Sequence, residues 1–344
     1  MKILITGGCG FIGCNAARRF LQRSDQVTVF DNLSRRGSDE NLSWLREQGQ
    51  FNFVNADVRE PDSLSRVVSQ GRFDVVIHLA AQVAVTTSVI EPRRDFEINA
   101  LGTLNVIEAV RNHSPETIVL NASTNKVYGN LPSLELKEGA TRYSLPDLPN
   151  GVSETQPLDF HSPYGCSKGA GDQYMIDYAR IYGLRTVNFR QSCIYGYRQF
   201  GVEDQGWVAW FLIAHVSGQP VTIYGDGKQV RDVLFIDDLI DCYVAAIERI
   251  DQVAGITFNI GGGPGNTLSL LELLKFMEQH SGSRVQHSFD DWRPGDQPVY
   301  VSDISKAKQL LEWHPRFGVN EGLQRLQEWV GRNVQMFTRS TISV

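Results

Sequence analysis

The 344-residue chain predicts an α/β fold, a doubly wound parallel sheet followed by a smaller C-terminal α/β lobe. Three observations carry this expectation. Short apolar runs alternate with amphipathic stretches through the first half, the pattern of strands covered by helices on both faces. A glycine-rich turn follows the first run at once. After Gln191 the regular alternation breaks.

Residues 3–6, 27–30, 51–54, 75–79 and 118–121 read as buried parallel strands, with 185–189 continuing the sheet. Helical patterns lie between them, around 12–21, 41–45, 62–68 and 95–110. Residues 128–154, rich in Pro, Gly and Ser, read as an irregular excursion, and long loops of this sort are more often functional than decorative. Beyond Gln191 come a Trp- and Phe-bearing helix at 207–215, a strand at 221–224, a helix at 238–250 and a strand at 257–260. Helices at 270–277, 304–310 and 323–329 complete the pattern, and the tail after Trp329 is polar enough to fray. The expected division is 1–190 as a dinucleotide domain, 191–335 as a smaller lobe and 336–344 as a tail.

Composition is that of a soluble globular protein. The net charge of -6 argues against a nucleic-acid or anionic-membrane surface. No apolar run approaches the ~18 residues of a membrane span. Met1-Lys2-Ile3-Leu4-Ile5 runs directly into a strand, which leaves no room for a signal peptide. The five cysteines are scattered and never spaced as Cys-x-x-Cys, so thiols in a reducing, cytoplasmic compartment are expected. The histidines show no metal-ligand spacing, and no metal is expected. His78 reads as a satisfied core histidine.

Gly7, Gly10 and Gly13 follow the first strand and open the first helix, with Phe11 and Ile12 between the last two. This spacing lets backbone amides approach a pyrophosphate at the positive end of a helix. Asp31 ends the second strand, where a carboxylate accepts hydrogen bonds from the adenosine ribose and repels a 2′-phosphate. That favours NAD, although Arg35 and Arg36 are of the type that accommodates such a phosphate. Asp57 and Val58 are placed to meet the adenine. Leu79, Ala80, Ala81 and Gln82 leave the fourth strand at its carboxyl end, where a doubly wound sheet places its ligand.

Tyr164 and Lys168 stand one helical turn apart. A free tyrosine titrates near pH ~10 and is a poor base at neutrality. A neighbouring ammonium, together with the positive ring of an oxidised nicotinamide, favours the phenolate.

The glycine fingerprint, Asn99, Thr124 before Tyr128-Gly129, and Tyr164-x-x-x-Lys168 together resemble the extended short-chain dehydrogenase/reductase superfamily and its nucleotide-sugar epimerases and dehydratases. The layout is shared over nearly the whole chain and implies a Rossmann sheet. Residues 31–35, 123–129, 158–168 and 227–234 resemble more closely an epimerase acting at C2 of a CDP-linked 3,6-dideoxyhexose. A different carbon, such as C4, or a different nucleobase is the rival expectation. The resemblance implies catalytic roles for Thr124, Tyr164 and Lys168, with Asn32, Ser34, Asn99 and Gln191 added to the cofactor contacts. It implies an NAD that stays bound and is regenerated in each turnover, and a homodimer formed through the helices at 95–110 and 164–182. A non-catalytic NAD-binding protein is disfavoured because both Tyr164 and Lys168 are present.

Superfamily dehydratases carry an acid pair directly after the threonine, where this chain has Asn125 and Lys126. Without carboxylates there, elimination of water lacks its proton donor and acceptor. Redox-neutral inversion remains. Arg231 and Arg293 are the expected pyrophosphate partners, since arginine binds phosphate oxygens bidentately. Thr86, Thr87 and Ser88 lie in a loop that could meet the hexose, and Asn125 lies beside the reacting centre. Gln205 and Trp207 resemble positions near the nucleotide, and Trp207 fits helix core equally well. Gln191 and Cys193 stand where histidine and serine are more usual, which bears on the choice of sugar.

Overall fold

A computed structural model describes residues 1–131, 135–293 and 296–338. Strands β1 (Lys2–Thr6), β2 (Gln26–Asp31), β3 (Asn52–Asn55), β4 (Val75–His78) and β5 (Ile118–Thr124) appear in the order expected. The excursion that follows opens with a 3-10 turn, Asn125–Tyr128, and carries the hairpin β6 (Lys137–Glu138) and β7 (Tyr143–Ser144). After the helix Ser162–Tyr182 come β8 (Thr186–Gln191), β9 (Cys193–Tyr195), β10 (Val221–Tyr224) and β11 (Val230–Phe235), then β12 (Ile256–Ile260), β13 (Thr267–Ser269), β14 (His287–Asp290) and β15 (Val299–Tyr300).

The main sheet has seven parallel strands in the order β12-β8-β5-β4-β1-β2-β3. Ile3, Leu4 and Ile5 of the central strand are fully buried, as a strand covered on both faces requires. The order reverses beside β1, so a crevice opens at the carboxyl ends of β1 and β4, where such sheets bind ligands. Thr6 and His78 end these two strands side by side.

The strand expected in the smaller lobe at 257–260 is corrected. It is β12, and it completes the main sheet beside β8, with Phe258 opposite Phe189. Phe258 and Ile260 find full burial there. A short apolar run does not itself reveal which sheet it joins, because strand preference is set by packing partners. The smaller lobe is built instead on β11, which pairs with β9, β13 and β15, and on the pair β10–β14. The expected frayed tail is also corrected. The helix Val319–Arg332 runs past Trp329, and Phe337 is buried against Phe200 and Trp329. Residues 339–344 of the expected tail lie outside the described residues. A third difference is local: the helix expected at 95–110 is interrupted by a π-helical turn, Glu97–Leu101, before Gly102–His113. Such turns concentrate at functional sites.

Candidate active site

At the crevice the first helix, Phe11–Gln22, begins with no acidic residue in its first turn and Gly10 as its N-cap. Its own first turn therefore puts no negative charge at the positive end, which suits an anionic group. Two glycines are required sterically. Gly7 has φ 67°, and a Cβ there would stand 2.6 Å from the Ala80 nitrogen. A Cβ at Gly13 would stand 2.2 Å from the Gly7 carbonyl oxygen. Gly7, Gly10, Phe11, Ile12, Gly13, Leu79 and Ala81 line one cleft together with Tyr164, Lys168 and Gln191. The glycine turn, a helix start free of acidic residues in its first turn and the cleft beside them fit a dinucleotide.

Asp31 Oδ2 accepts from the Cys9 amide at 2.9 Å and Oδ1 from the Leu33 amide at 2.8 Å. Burial raises this carboxyl, and those amides work against the rise. Asn32 donates to Asp57 at 2.7 Å and accepts from the Ser34 amide at 3.0 Å, so the ends of β2 and β3 are tied together. Arg59 chelates Asp57 at 2.9 and 3.0 Å. Burial alone would raise the Asp57 carboxyl, but Arg59 and Asn32 hold it below its usual value. Val58 is buried and packs against Gly102. Arg35 does not stay on the adenosine side: it donates to Gln205, joining a residue expected at the cofactor to one expected at the substrate.

Thr124 ends β5, and Tyr164 and Lys168 share one face of the helix Ser162–Tyr182. All three are buried. The Thr124 hydroxyl, which also accepts the Lys126 amide at 3.2 Å, acts on the Tyr164 phenol and lowers it. Burial pushes the phenol up to about 12; Thr124 and Arg35 oppose the rise and the charge of Asp95 adds to it. Burial pushes Lys168 down to about 8, against the charges of Asp172 and Asp95. Lys168, expected to lower the phenol, is not among the groups that act on it in the protein alone, where burial of the phenolate dominates.

Gln82 and Asn99 lie behind the cleft. Asn99 accepts from the Gln82 amide at 2.9 Å and donates to the Gln82 carbonyl at 3.0 Å and to Asp95 at 3.0 Å. Ser167 donates to Asp95 at 2.5 Å. His78 is the satisfied core histidine that was expected. Thr103 donates to the Asn99 carbonyl at 2.6 Å, so it accepts from His78 Nε2 at 3.1 Å. Thr6 then donates to Nδ1 at 2.7 Å while accepting from the amides of Leu79 and Ala80. That pattern assigns the proton to Nε2.

Among the residues expected at the substrate, Ser88 is corrected to a structural part. Its hydroxyl donates to the Val85 carbonyl at 2.6 Å and accepts the Tyr164 amide at 3.1 Å, fixing the start of the catalytic helix. Thr86 Oγ1 has no hydrogen-bond partner among the described residues. Asn125 is buried beside Thr124. Trp207 donates to the Cys193 sulfur at 2.8 Å, and Gln191 donates to Tyr243 at 2.5 Å. Arg231 donates to Asp296 at 2.6 Å. Arg293 stacks over Tyr224 at 3.8 Å and pairs with Asp204 at 3.2 Å.

Some participants were missed from sequence. Arg198, Gln199 and Phe200 line the cleft from the segment after β9, and no spacing marks them. Asp172, one turn beyond Lys168, is fully buried and chelated by Arg190 at 2.8 and 3.0 Å; it also accepts from Ser123 at 2.7 Å and Asn188 at 2.5 Å. The helical spacing from Lys168 could have flagged Asp172; Arg190 carries no such signal.

A cofactor cleft at the switch point, lined by the tyrosine and the lysine, with the threonine ending the strand that contributes Ala122 and Ser123 to it, defines an NAD-dependent enzyme of the short-chain dehydrogenase/reductase type. Residues 4–326 match the family model described as GDP-mannose 4,6 dehydratase. The chain belongs to this family of nucleotide-sugar epimerases and dehydratases. It is 48% identical to CDP-paratose 2-epimerase of Salmonella typhi, over 96% of this chain and 99% of that one. Among solved structures, UDP-glucose 4-epimerase of Thermotoga maritima, with UDP-glucose, superposes with a TM-score of 0.83 at 31% identity and full coverage of both chains. UDP-glucuronic acid 4-epimerase of Bacillus cereus, in complex with UDP-glucuronic acid and NAD, superposes at 0.82 and 29%, covering 96% of this chain and 99% of that one.

Proposed function

We propose that this chain inverts C2 of a CDP-linked 3,6-dideoxyhexose, turning CDP-paratose into CDP-tyvelose. The observation that carries the reading is the buried trio Thr124, Tyr164 and Lys168, with Asn125 and Lys126 in place of a carboxylate pair. The likeness to CDP-paratose 2-epimerase supports the carbon and the nucleobase.

NAD, when bound, would supply the redox chemistry, as acceptor and then donor of the sugar hydride. The glycine loop would hold its pyrophosphate, Asp31 its adenosine ribose, and Lys168 its nicotinamide ribose. Tyr164 takes the hydroxyl proton as the sugar is oxidised and gives it back as the ketone is reduced. Thr124 orients the reacting oxygen by hydrogen bonding. Arg231 and Arg293 would grip the diphosphate, each now paired with a carboxylate that a phosphate would replace as partner.

A second reading, a 4-epimerase acting on another nucleotide-sugar, draws on the likeness to the Thermotoga enzyme. A cytoplasmic location accords with the free cysteines, and no helix among the described residues is long and apolar enough to cross a membrane. A homodimer accords with exposed Ile90, Phe96, Leu101, Ile181 and Tyr182 on and around the two helices expected to pair. Incubating the purified protein with CDP-paratose or UDP-glucose, without added cofactor, tests the substrate by NMR. Inversion of CDP-paratose at C2 supports the first reading; turnover of UDP-glucose alone replaces it with the second.

A further inference from the structure

We infer that Lys126 fixes which sugar carbon reaches Tyr164, by gripping the sugar-proximal phosphate from the catalytic strand itself. This rests on the reading of the chain as a nucleotide-sugar epimerase.

Lys126 lies in the 3-10 turn that continues β5, and its amide donates to Thr124 Oγ1 at 3.2 Å. Its ammonium is 3.7 Å from Asp296 Oδ1, the same oxygen that accepts from Arg231 at 2.6 Å. Two cations therefore stand around one carboxylate oxygen, no further apart than those two distances allow. They come from different parts of the fold, Lys126 from the end of a main-sheet strand and Arg231 from β11 of the smaller lobe. Two positive charges against one negative leave a net attraction for a diphosphate. Asp296 now occupies the position that a phosphate oxygen would contest.

The consequence is geometric. In a nucleotide-sugar, C2 is three bonds from the proximal phosphorus, through C1 and the glycosidic oxygen. C4 is five bonds away by either path around the ring. A cation two residues along the chain from Thr124 ties that phosphate to the strand that carries the oxygen binder, and the short tether then favours C2. A phosphate held by Arg231 alone is free of the catalytic strand, and C4 comes within reach.

The titratable groups that act on Lys126, among the described residues, are Arg231, Asp296 and Cys193. Burial, then Arg231, push the ammonium down to about 8, against Asp296 and Cys193. Cys193 is held up at about 11, so it does not change charge in the same range. Lys168 falls to about 8 as well, but its ammonium is turned to the Ala122 carbonyl, and it is common to every protein compared below.

The test is calorimetric titration of the NAD-loaded enzyme with CDP from pH 7 to 9.5. Wild-type affinity should fall about tenfold as Lys126 loses its charge. Lys126→Arg, which keeps its charge, should stay nearly level, and Lys126→Met should bind about tenfold more weakly at pH 7 and show little pH dependence. NAD content of each variant reports that the site is folded. Product analysis on CDP-paratose should show the ratio of C2 to C4 inversion falling at least tenfold in Lys126→Met and recovering in Lys126→Arg. Identical pH profiles for wild type and Lys126→Arg, or an unchanged product ratio in Lys126→Met, overturn the inference. Failure of the wild-type enzyme to bind CDP or invert any nucleotide-sugar overturns the epimerase reading instead.

Discussion

Lys168 Nζ donates to the main-chain carbonyl of Ala122 at 2.5 Å, two residues before Thr124 on the same strand. The helix that carries Tyr164 and the strand that carries Thr124 are thereby joined. Lys168 acts on the strand that carries Thr124, while the phenol is governed by burial and by Thr124.

Thr124→Val should accordingly cost about 10- to 100-fold in kcat, because it removes the hydroxyl that opposes the burial pushing the phenol up to about 12. The acid limb of the kcat profile should move to higher pH, since the phenolate is the active form and is now less favoured. Thr124→Ser should restore most of both. A Thr124→Val enzyme with an unshifted limb would show that the hydroxyl does not act on Tyr164.

Gly13→Ala should be purified without cofactor. Its Cβ meets the Gly7 carbonyl oxygen at 2.2 Å and Gly8 Cα at 2.6 Å, which are backbone atoms that cannot swing aside. The loop must open, and the amides facing the pyrophosphate lose their register. Nucleotide released by heat and measured by chromatography reads the loss, and circular dichroism reports that the sheet survives.

The Asp172–Arg190 pair is buried at both ends and bridges the catalytic helix to β8. Arg190→Met leaves the Asp172 carboxylate without its counter-charge and should destabilise the fold by about 3–5 kcal/mol. Asp172→Asn combined with Arg190→Met should cost less than the two single changes added together. Urea midpoints of the three variants measure this coupling.

His78 is held neutral, with its folded-state value pushed by burial from 6.5 down to about 3. The unfolded chain takes up a proton below pH 6.5 and the folded one does not. Its stabilising contribution is complete above that pH and drains away as pH falls towards 3, by up to about 1 kcal/mol per pH unit. Urea midpoints at pH 7 and pH 5 should show the drop, and His78→Asn should show a smaller one.

Much of the main sheet was legible because buried parallel strands are continuous apolar runs and the glycine turn marks the first crossover. β12 was misplaced because a run of five residues says nothing about its tertiary partner. In the site, Thr124, Tyr164 and Lys168 were legible as chemistry. Ser88 and Asn99 were legible as polar residues, but not as hydrogen-bonding parts behind the cleft, since direction of a side chain is a property of packing. Arg35 was read on the adenosine side, and its reach to Gln205 across the cleft lies outside what spacing can express.

The central claim is that one sugar hydrogen leaves C2 and returns to it within a single turnover. CDP-paratose carrying deuterium at C2, turned over in ordinary water without added NAD, tests this most directly. The account predicts CDP-tyvelose with deuterium retained at C2 and no net change in NADH absorbance. Product that has lost its deuterium to solvent would contradict it, because the hydrogen would then have left as a proton.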